Sequence, residues 1–249
     1  RREPLGSGAF ATVHRAVERG TGRTVAVKVI RARESLPLSS SLHVDAEREY
    51  HLNCRLQKAS SRLSGSTEAP PPFAQPHASF VTDTEYCMVL DYLSGGNVEE
   101  WLAAHGEPSP TPSGPRVMRE ADAKVVMLRA LQGIRTMHKL NMAHCDIKPA
   151  NLVLGERGDL NSIRIVDLGL ATDLSGRSQA TNSYRGTPQY FAPELVRACR
   201  WGRPFGPAVD AWAAGVVMYK LLSGELPFED QSCDGLFRQI LEWQGGFFW

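Results

Sequence analysis

The chain has 249 residues, 42% apolar and 22% charged, with 28 basic and 27 acidic side chains and a formal net charge of +1. That composition is ordinary for a globular protein. It excludes a broad single-sign field for nucleic acid or an anionic membrane, so any anion site must be built locally.

The length suits one large domain or two modest lobes. Cys54, Cys87, Cys145, Cys199 and Cys233 form no CxxC pair. Their odd number favours a reduced compartment over disulfides or structural zinc. The opening "RREPLGSG" has no Met and no apolar signal core, and the most apolar run, "AWAAGVVMY", is too short to span a bilayer. The expectation is an excised, intracellular domain, cytoplasmic or nuclear.

In chain order, "LGSGAFATV" at 5–13 reads as a glycine-rich turn between strands. Without Cβ atoms its N–H groups can approach an anion, although such a turn alone is a weak signal. Residues 24–31 read as a strand with Val25, Val27 and Val29 on one face and Ala26, Lys28 and Ile30 on the other. The lone lysine on an apolar face is the informative departure.

Residues 44–56 read as a helix, with Val44, Leu52 and Leu56 at helical spacing. Glu47 and Glu49 are both candidate partners for Lys28. Glu49 is preferred because Tyr50 and Leu56 then complete a packed face. Residues 57–76, with "APPPFAQP", read as a loop insertion, and "YCMVLDY" at 86–92 as a strand broken by "LSGGN".

A helix is expected at 97–104, a flexible insertion at 106–115, and an amphipathic helix at 120–140 with Val125, Leu128, Leu131 and Ile134 on its buried face. "LVL" at 152–154 and "IRIV" at 163–166 suggest a hairpin. Residues 208–222 read as a buried helix, in a region that Pro227 ends. Strands crowd into the first 92 residues and helices dominate afterwards.

"HCDIKPANLVL" at 144–154 crowds polar residues against an apolar run, which is costly unless something binds them. It is followed by "IRIVDLGLA" and "GTPQYFAPE". In this order and spacing the motifs resemble the eukaryotic protein kinase family from "LGSGAFATV" to "LLSGELPF". The resemblance implies an α+β, bilobal fold: a small antiparallel-sheet lobe at 1–92 and a larger helical lobe at 93–249, incomplete at its C-terminus.

It also implies ATP and Mg2+ as cofactors. Asp146 takes the place of the base that orients the acceptor hydroxyl, and Lys148 sits near the transferring phosphate. Asn151 and Asp167 take the metal positions, because a hard cation wants oxygen ligands. Lys28 would hold the α- and β-phosphates, fixed by Glu49. The turn Leu5, Gly6, Ser7, Gly8, Ala9, Phe10 and Ala11 would cover them, with Ala11 where the family has a third Gly. Val13 and Ala26 would pack above an adenine and Val153 below it. Leu90 would guard the back pocket, and the backbones of Asp91 and Leu93 would bond the adenine edge.

Lys148, and Thr187 in "GTPQYFAPE", resemble the Ser/Thr members, in which a hydroxyl bridges the base and that lysine. The "APE" segment implies a groove for a protein substrate, unlike antibiotic and choline kinases. "GLAT", "GELPF" and "APELV" give a looser likeness to calmodulin-dependent and checkpoint kinases. Asn97 and Ala150 stand where kinases that prefer Arg in the substrate carry acids, although Glu99 and Glu100 could compensate. The Pro/Ser-rich insertions could serve a regulatory protein, with passive loops the blander expectation.

Four departures are explicit. Cys145 replaces the Arg that meets an activation-segment phosphate, which points to Ser183 as the residue to test. Leu168 replaces a Phe after Asp167. Asn53 stands where an apolar residue is expected, which suggests a mobile helix at 44–56. The Arg partner of Glu194 is not identifiable. An alternative expectation is a pseudokinase that senses nucleotide or acts as a scaffold.

Overall fold

A computed structural model describes residues 3–7, 11–31, 41–63, 71–109, 114–175, 186–243 and 245. Gly8, Ala9, Phe10 and Ser183 lie outside the described residues.

The first five strands form one antiparallel sheet in the order β1-β2-β3-β5-β4. They are β1 (Glu3–Ser7), β2 (Ala11–Val17), β3 (Thr24–Arg31), β4 (Pro76–Val81) and β5 (Glu85–Asp91). The central β3 is rich in β-branched residues, which suit a sheet buried on both faces. Val25, Val27 and Val29 join Cys87 in one apolar cluster. Ile30 packs on the opposite face with Ala46, Tyr86 and Met88. The alternation expected from the sequence is therefore real, and Lys28 shares the face of Ile30.

The helix α1 (Ser41–Leu63) bridges β4 and β5. It runs seven residues beyond the expected end at Leu56. Residues 57–63 have no Gly or Pro, so nothing stops the helix where the composition alone suggested a loop. Glu49, Leu52, Asn53 and Leu56 are buried on one stripe. Val44, expected on that stripe, is exposed.

The stretch "PPFAQ" is not a passive loop either. Phe73 is 2% exposed within the main core, and the carbonyl of Pro72 accepts the Ile165 N–H at 2.8 Å. Burying one phenyl ring is worth about 1.5–3 kcal/mol, enough to order a short extended strap.

The remaining chain is mainly helical: α2 (Val98–His105), α3 (Glu120–Lys139), α4 (Pro193–Trp201), α5 (Ala208–Ser223) and α6 (Cys233–Glu242). Two small ladders lie among them, β6 (Met142–Ala143) with β9 (Thr172–Asp173), and β7 (Leu152–Leu154) with β8 (Ile163–Ile165). The expected hairpin of "LVL" and "IRI" is thus present.

α3 corrects its expected face. Leu128 and Leu131 are 56% and 47% exposed, whereas Ala123, Val126, Met127, Ala130, Ile134 and Met137 are buried. Small residues allow the close approach of α5 and β8, so the face follows alanines and Gly133 rather than the leucines. α5 buries Val209, Ala213, Val216, Val217 and Leu221. It matches the expected 208–222 to within one residue and is capped by Gly224 in a left-handed conformation (φ +81°).

The insertion after α2 is tied at both ends by a bridge between Glu107 and Val117. No helix among the described residues is long and apolar enough to cross a membrane.

Candidate active site

β3 and α1 assemble the first half of the site. Lys28 is directly opposite Val13 on β2, and Ala26 is opposite Leu90 on β5. Antiparallel partners point to the same face. Val13, Ala26, Lys28 and Leu90 therefore converge on one side of the sheet.

The Lys28 ammonium bonds Glu49 Oε1 at 2.7 Å and Oε2 at 2.9 Å, and Asp167 Oδ1 at 2.7 Å. Glu47, the other candidate partner, is exposed on the far side of the helix. Asn53, where an apolar contact was expected, is buried and donates its amide to the Glu49 carbonyl at 3.0 Å. The helix register expected around Glu49 is right, and a polar bond replaces the apolar one.

Burial pulls the Lys28 ammonium down, but the two carboxylates more than offset it and hold its pKa above the ordinary lysine value. Burial also pushes Glu49 up, and Lys28 reverses only part of that. Asp167 is half-exposed. Partial desolvation raises its carboxyl, but the Lys28 charge and hydrogen bond, with the Gly169 N–H, bring it below the usual value.

A depressed carboxyl stabilises the folded state above its unfolded pKa of about 4 and loses that contribution as pH falls through the folded value. The stability gap between wild type and Asp167→Asn should therefore shrink between pH 6 and pH 3. Urea unfolding at each pH checks this, and a gap that widens in acid would refute it.

The loop after β6 assembles the second half. Asp146 Oδ1 accepts the Thr187 hydroxyl at 2.8 Å, and that hydroxyl accepts from Lys148 Nζ at 2.7 Å. Lys148 also pairs with Asp146 Oδ2 at 2.8 Å. Asn151 Nδ2 donates to the Asp146 carbonyl at 2.8 Å and to Oδ2 at 3.0 Å. With its nitrogen so engaged, the oxygen is the ligand atom that Asn151 can offer.

The Val166 N–H donates to the Asn151 carbonyl at 3.0 Å, which brings Asp167 beside Asn151. Asp167 has φ +64°, a left-handed conformation that Asp tolerates better than most residues. Leu168 is buried in the main core, filling the place expected of the larger Phe.

Two supporting residues had gone unnoticed. Asp210 is 0% exposed on α5. It accepts the backbone N–H groups of His144 and Cys145, both at 2.9 Å, and the His138 ring at 3.0 Å. The sequence signal was available: one carboxylate inside the apolar run "AVDAWAAGVV". His144 is fully buried between the two halves. Its Nε2 meets the Val166 carbonyl at 3.1 Å and its Nδ1 accepts the Asp146 N–H at 3.3 Å. A carbonyl only accepts, so the hydrogen sits on Nε2.

The other expected residues fall in varied settings. Leu5 is exposed, and Ala11 packs on the Ile30 cluster. Gly6 and Ser7 lie in β1, opposite Val13 and Thr12. Val153 is half-buried opposite Arg164. The Asp91 N–H is engaged by the Gln75 carbonyl at 3.0 Å, and the Asp91 carboxylate by Arg23, His77 and Arg164. Its carbonyl, with the Leu93 backbone, is what it can offer a ligand.

Asn97 caps α2 in a reciprocal capping box with Glu100, and Glu99 pairs with Lys220 at 2.7 Å. Both acids that could have favoured a basic substrate are thus already engaged. Glu194 lies half-buried in the first turn of α4, where the helix dipole favours a carboxylate. Cys145 is pushed up to about 12 by burial and then by Asp210, so it is a neutral thiol at physiological pH.

The site thus brings together two carboxylates held by one buried lysine and a third carboxylate tied to Lys148 and Thr187. The family model described as "Protein kinase domain" matches residues 1–245. The chain belongs to the protein kinase family.

Proposed function

We propose that this chain is an active protein serine/threonine kinase that uses ATP and Mg2+. The observation that carries the reading is the closed triangle of Asp146, Lys148 and Thr187. Its lobes would divide after Tyr92, with the nucleotide between them.

The residues present fit the cofactor. Asp167 and Asn151 offer hard oxygen ligands, which suit Mg2+. A carboxylate has about four lone-pair sites, so the Lys28 and Gly169 donors leave Asp167 capacity for a cation. ATP with Mg2+ supplies the transferable phosphoryl group and part of the charge that offsets it.

Lys28, held by Glu49, binds phosphate oxygens. Asp146 orients the acceptor hydroxyl and takes its proton. Lys148 faces the phosphoryl oxygens and neutralises their charge. Thr187 fixes Asp146 and Lys148 at one spacing, and its likeness to the Ser/Thr members of the family supports an aliphatic hydroxyl as the acceptor. Leu90, Val13, Ala26 and Val153 enclose the base, while the Asp91 carbonyl and Leu93 N–H meet its edge.

The test is γ-phosphate transfer from ATP·Mg2+ to a mixed protein substrate, followed by identification of the phosphorylated residue. Phosphoserine or phosphothreonine supports the reading, and phosphotyrosine overturns the acceptor assignment. No transfer by a folded chain that binds nucleotide would favour a nucleotide-sensing or scaffolding module.

The neutral Cys145 thiol cannot pair with a phosphate as an arginine would. Ser183→Ala is therefore expected to keep the wild-type rate. A large loss of activity restored by Ser183→Asp would contradict this.

A further inference from the structure

The helix that carries Glu49 makes a second set of polar contacts, with the segment just after Asp167. Arg48 and Arg55 are seven residues apart on α1 and so share one face. Arg48 Nη2 donates to the Ala171 carbonyl at 2.7 Å. Arg55 Nη1 pairs with Asp173 Oδ2, and its Nη2 donates to the Leu140 carbonyl at 3.2 Å.

Each end of the Arg55 contact is prepared. Leu140 caps the C-terminus of α3, where orphan carbonyls and the helix dipole attract a cation. Asp173 Oδ1 accepts the Ser175 N–H at 3.0 Å, which turns its other oxygen to the arginine. A planar guanidinium can serve both acceptors at once, which an ammonium does less well.

The segment that Arg55 grips is tied directly to the catalytic loop. Asp173 pairs with Met142 and Thr172 with Ala143 across β6 and β9. The Leu174 N–H donates to the Asn141 carbonyl at 2.7 Å. β6 leads straight into His144, Cys145 and Asp146, and Asp167 lies six residues before Asp173.

We propose that Arg48 and Arg55 are positioning residues for phosphoryl transfer. They clamp α1 to β9 so that Glu49, Lys28 and Asp167 meet in the nucleotide-free chain without any added phosphate. The proposal rests on the reading of that triad as the phosphate and metal site. It runs against the expectation of a mobile helix drawn from Asn53, and amide exchange over 44–56 decides between the two.

Asp173 and Arg55 are both more than a third exposed, so the pair contributes little to global stability. Its effect is local. Breaking it frees α1 without unfolding the chain.

The test is a charge swap. Arg55→Asp, Asp173→Arg and the double variant are compared by thermal melting, by initial rates against ATP, and by amide hydrogen exchange over 44–56 without nucleotide. Each single variant should lower kcat/KM for ATP about tenfold and speed exchange over 44–56, with the melting temperature close to wild type. The double variant should recover much of both losses, because the opposite charges face each other again.

Wild-type rates and exchange in both single variants would overturn the proposal. So would a double variant no better than the worse single one. If the wild type transfers no phosphate, the functional reading fails, and the exchange data alone decide whether the clamp exists.

Discussion

Replacing Asp146 by Asn is expected to lower kcat by about two to four orders of magnitude, the usual worth of a positioned proton acceptor. The amide cannot take the hydroxyl proton. It also turns an –NH2 group toward donors, because Asp146 accepts from Thr187, Lys148 and Asn151. Nucleotide affinity should hold, since Lys28, Glu49 and Asp167 keep their mutual bonds. Single-turnover transfer measured beside nucleotide titration separates the two effects. Variant turnover within about threefold of wild type would remove Asp146 from the chemistry, because the loss would fall well below the lower bound for such a group.

Replacing Asp210 by Ala should destabilise the fold by about 3 kcal/mol or more, because each buried donor left without a partner costs about 1–3 kcal/mol. Two backbone N–H groups, of His144 and Cys145, would lose their acceptor, and His138 would lose its own. Cys145 has φ +65°, which is unfavourable for a non-glycine residue and needs surrounding bonds to hold it. Loss of those bonds should let the loop relax and displace Asp146, so turnover should fall as well. Asp210→Asn should lie between the two, since one oxygen can still accept one N–H. Urea unfolding measures the first effect. A change below about 1 kcal/mol would mean that water satisfies the loop equally well.

The site was legible in the sequence to the extent that its residues sit in short, ordered segments. "HCDIKPAN" holds Asp146, Lys148 and Asn151 within eight residues, so one stretch of chain carries the motif whose likeness to the protein kinases implies their roles. Lys28 was visible because period-two alternation leaves it alone on an apolar face. Glu49 was preferred to Glu47 on helical spacing, and the buried stripe of α1 bears that out.

The errors have common causes. Leucine count misjudged the face of α3, because packing against β8 rewards small residues: a Cβ on Gly133 would come within 2.5 Å of Ile165. Proline and serine content misjudged 57–76, because composition does not show that Phe73 finds a core to enter. Asp210 escaped notice because its partners are backbone groups sixty-five and sixty-six residues earlier.

By itself, then, the sequence determined the family, the crowding of strands into its first part with helices after, and the short motifs that carry Lys28, Asp146, Lys148, Asn151 and Asp167. Those depend on local periodicity and short motifs, which one stretch of chain carries alone. Only the tertiary structure decided which partners meet. Lys28 reaches Asp167 across 139 residues, and Arg55 reaches Asp173 across 118. Such contacts form where packed elements place two side chains together, and no spacing along the chain encodes that distance.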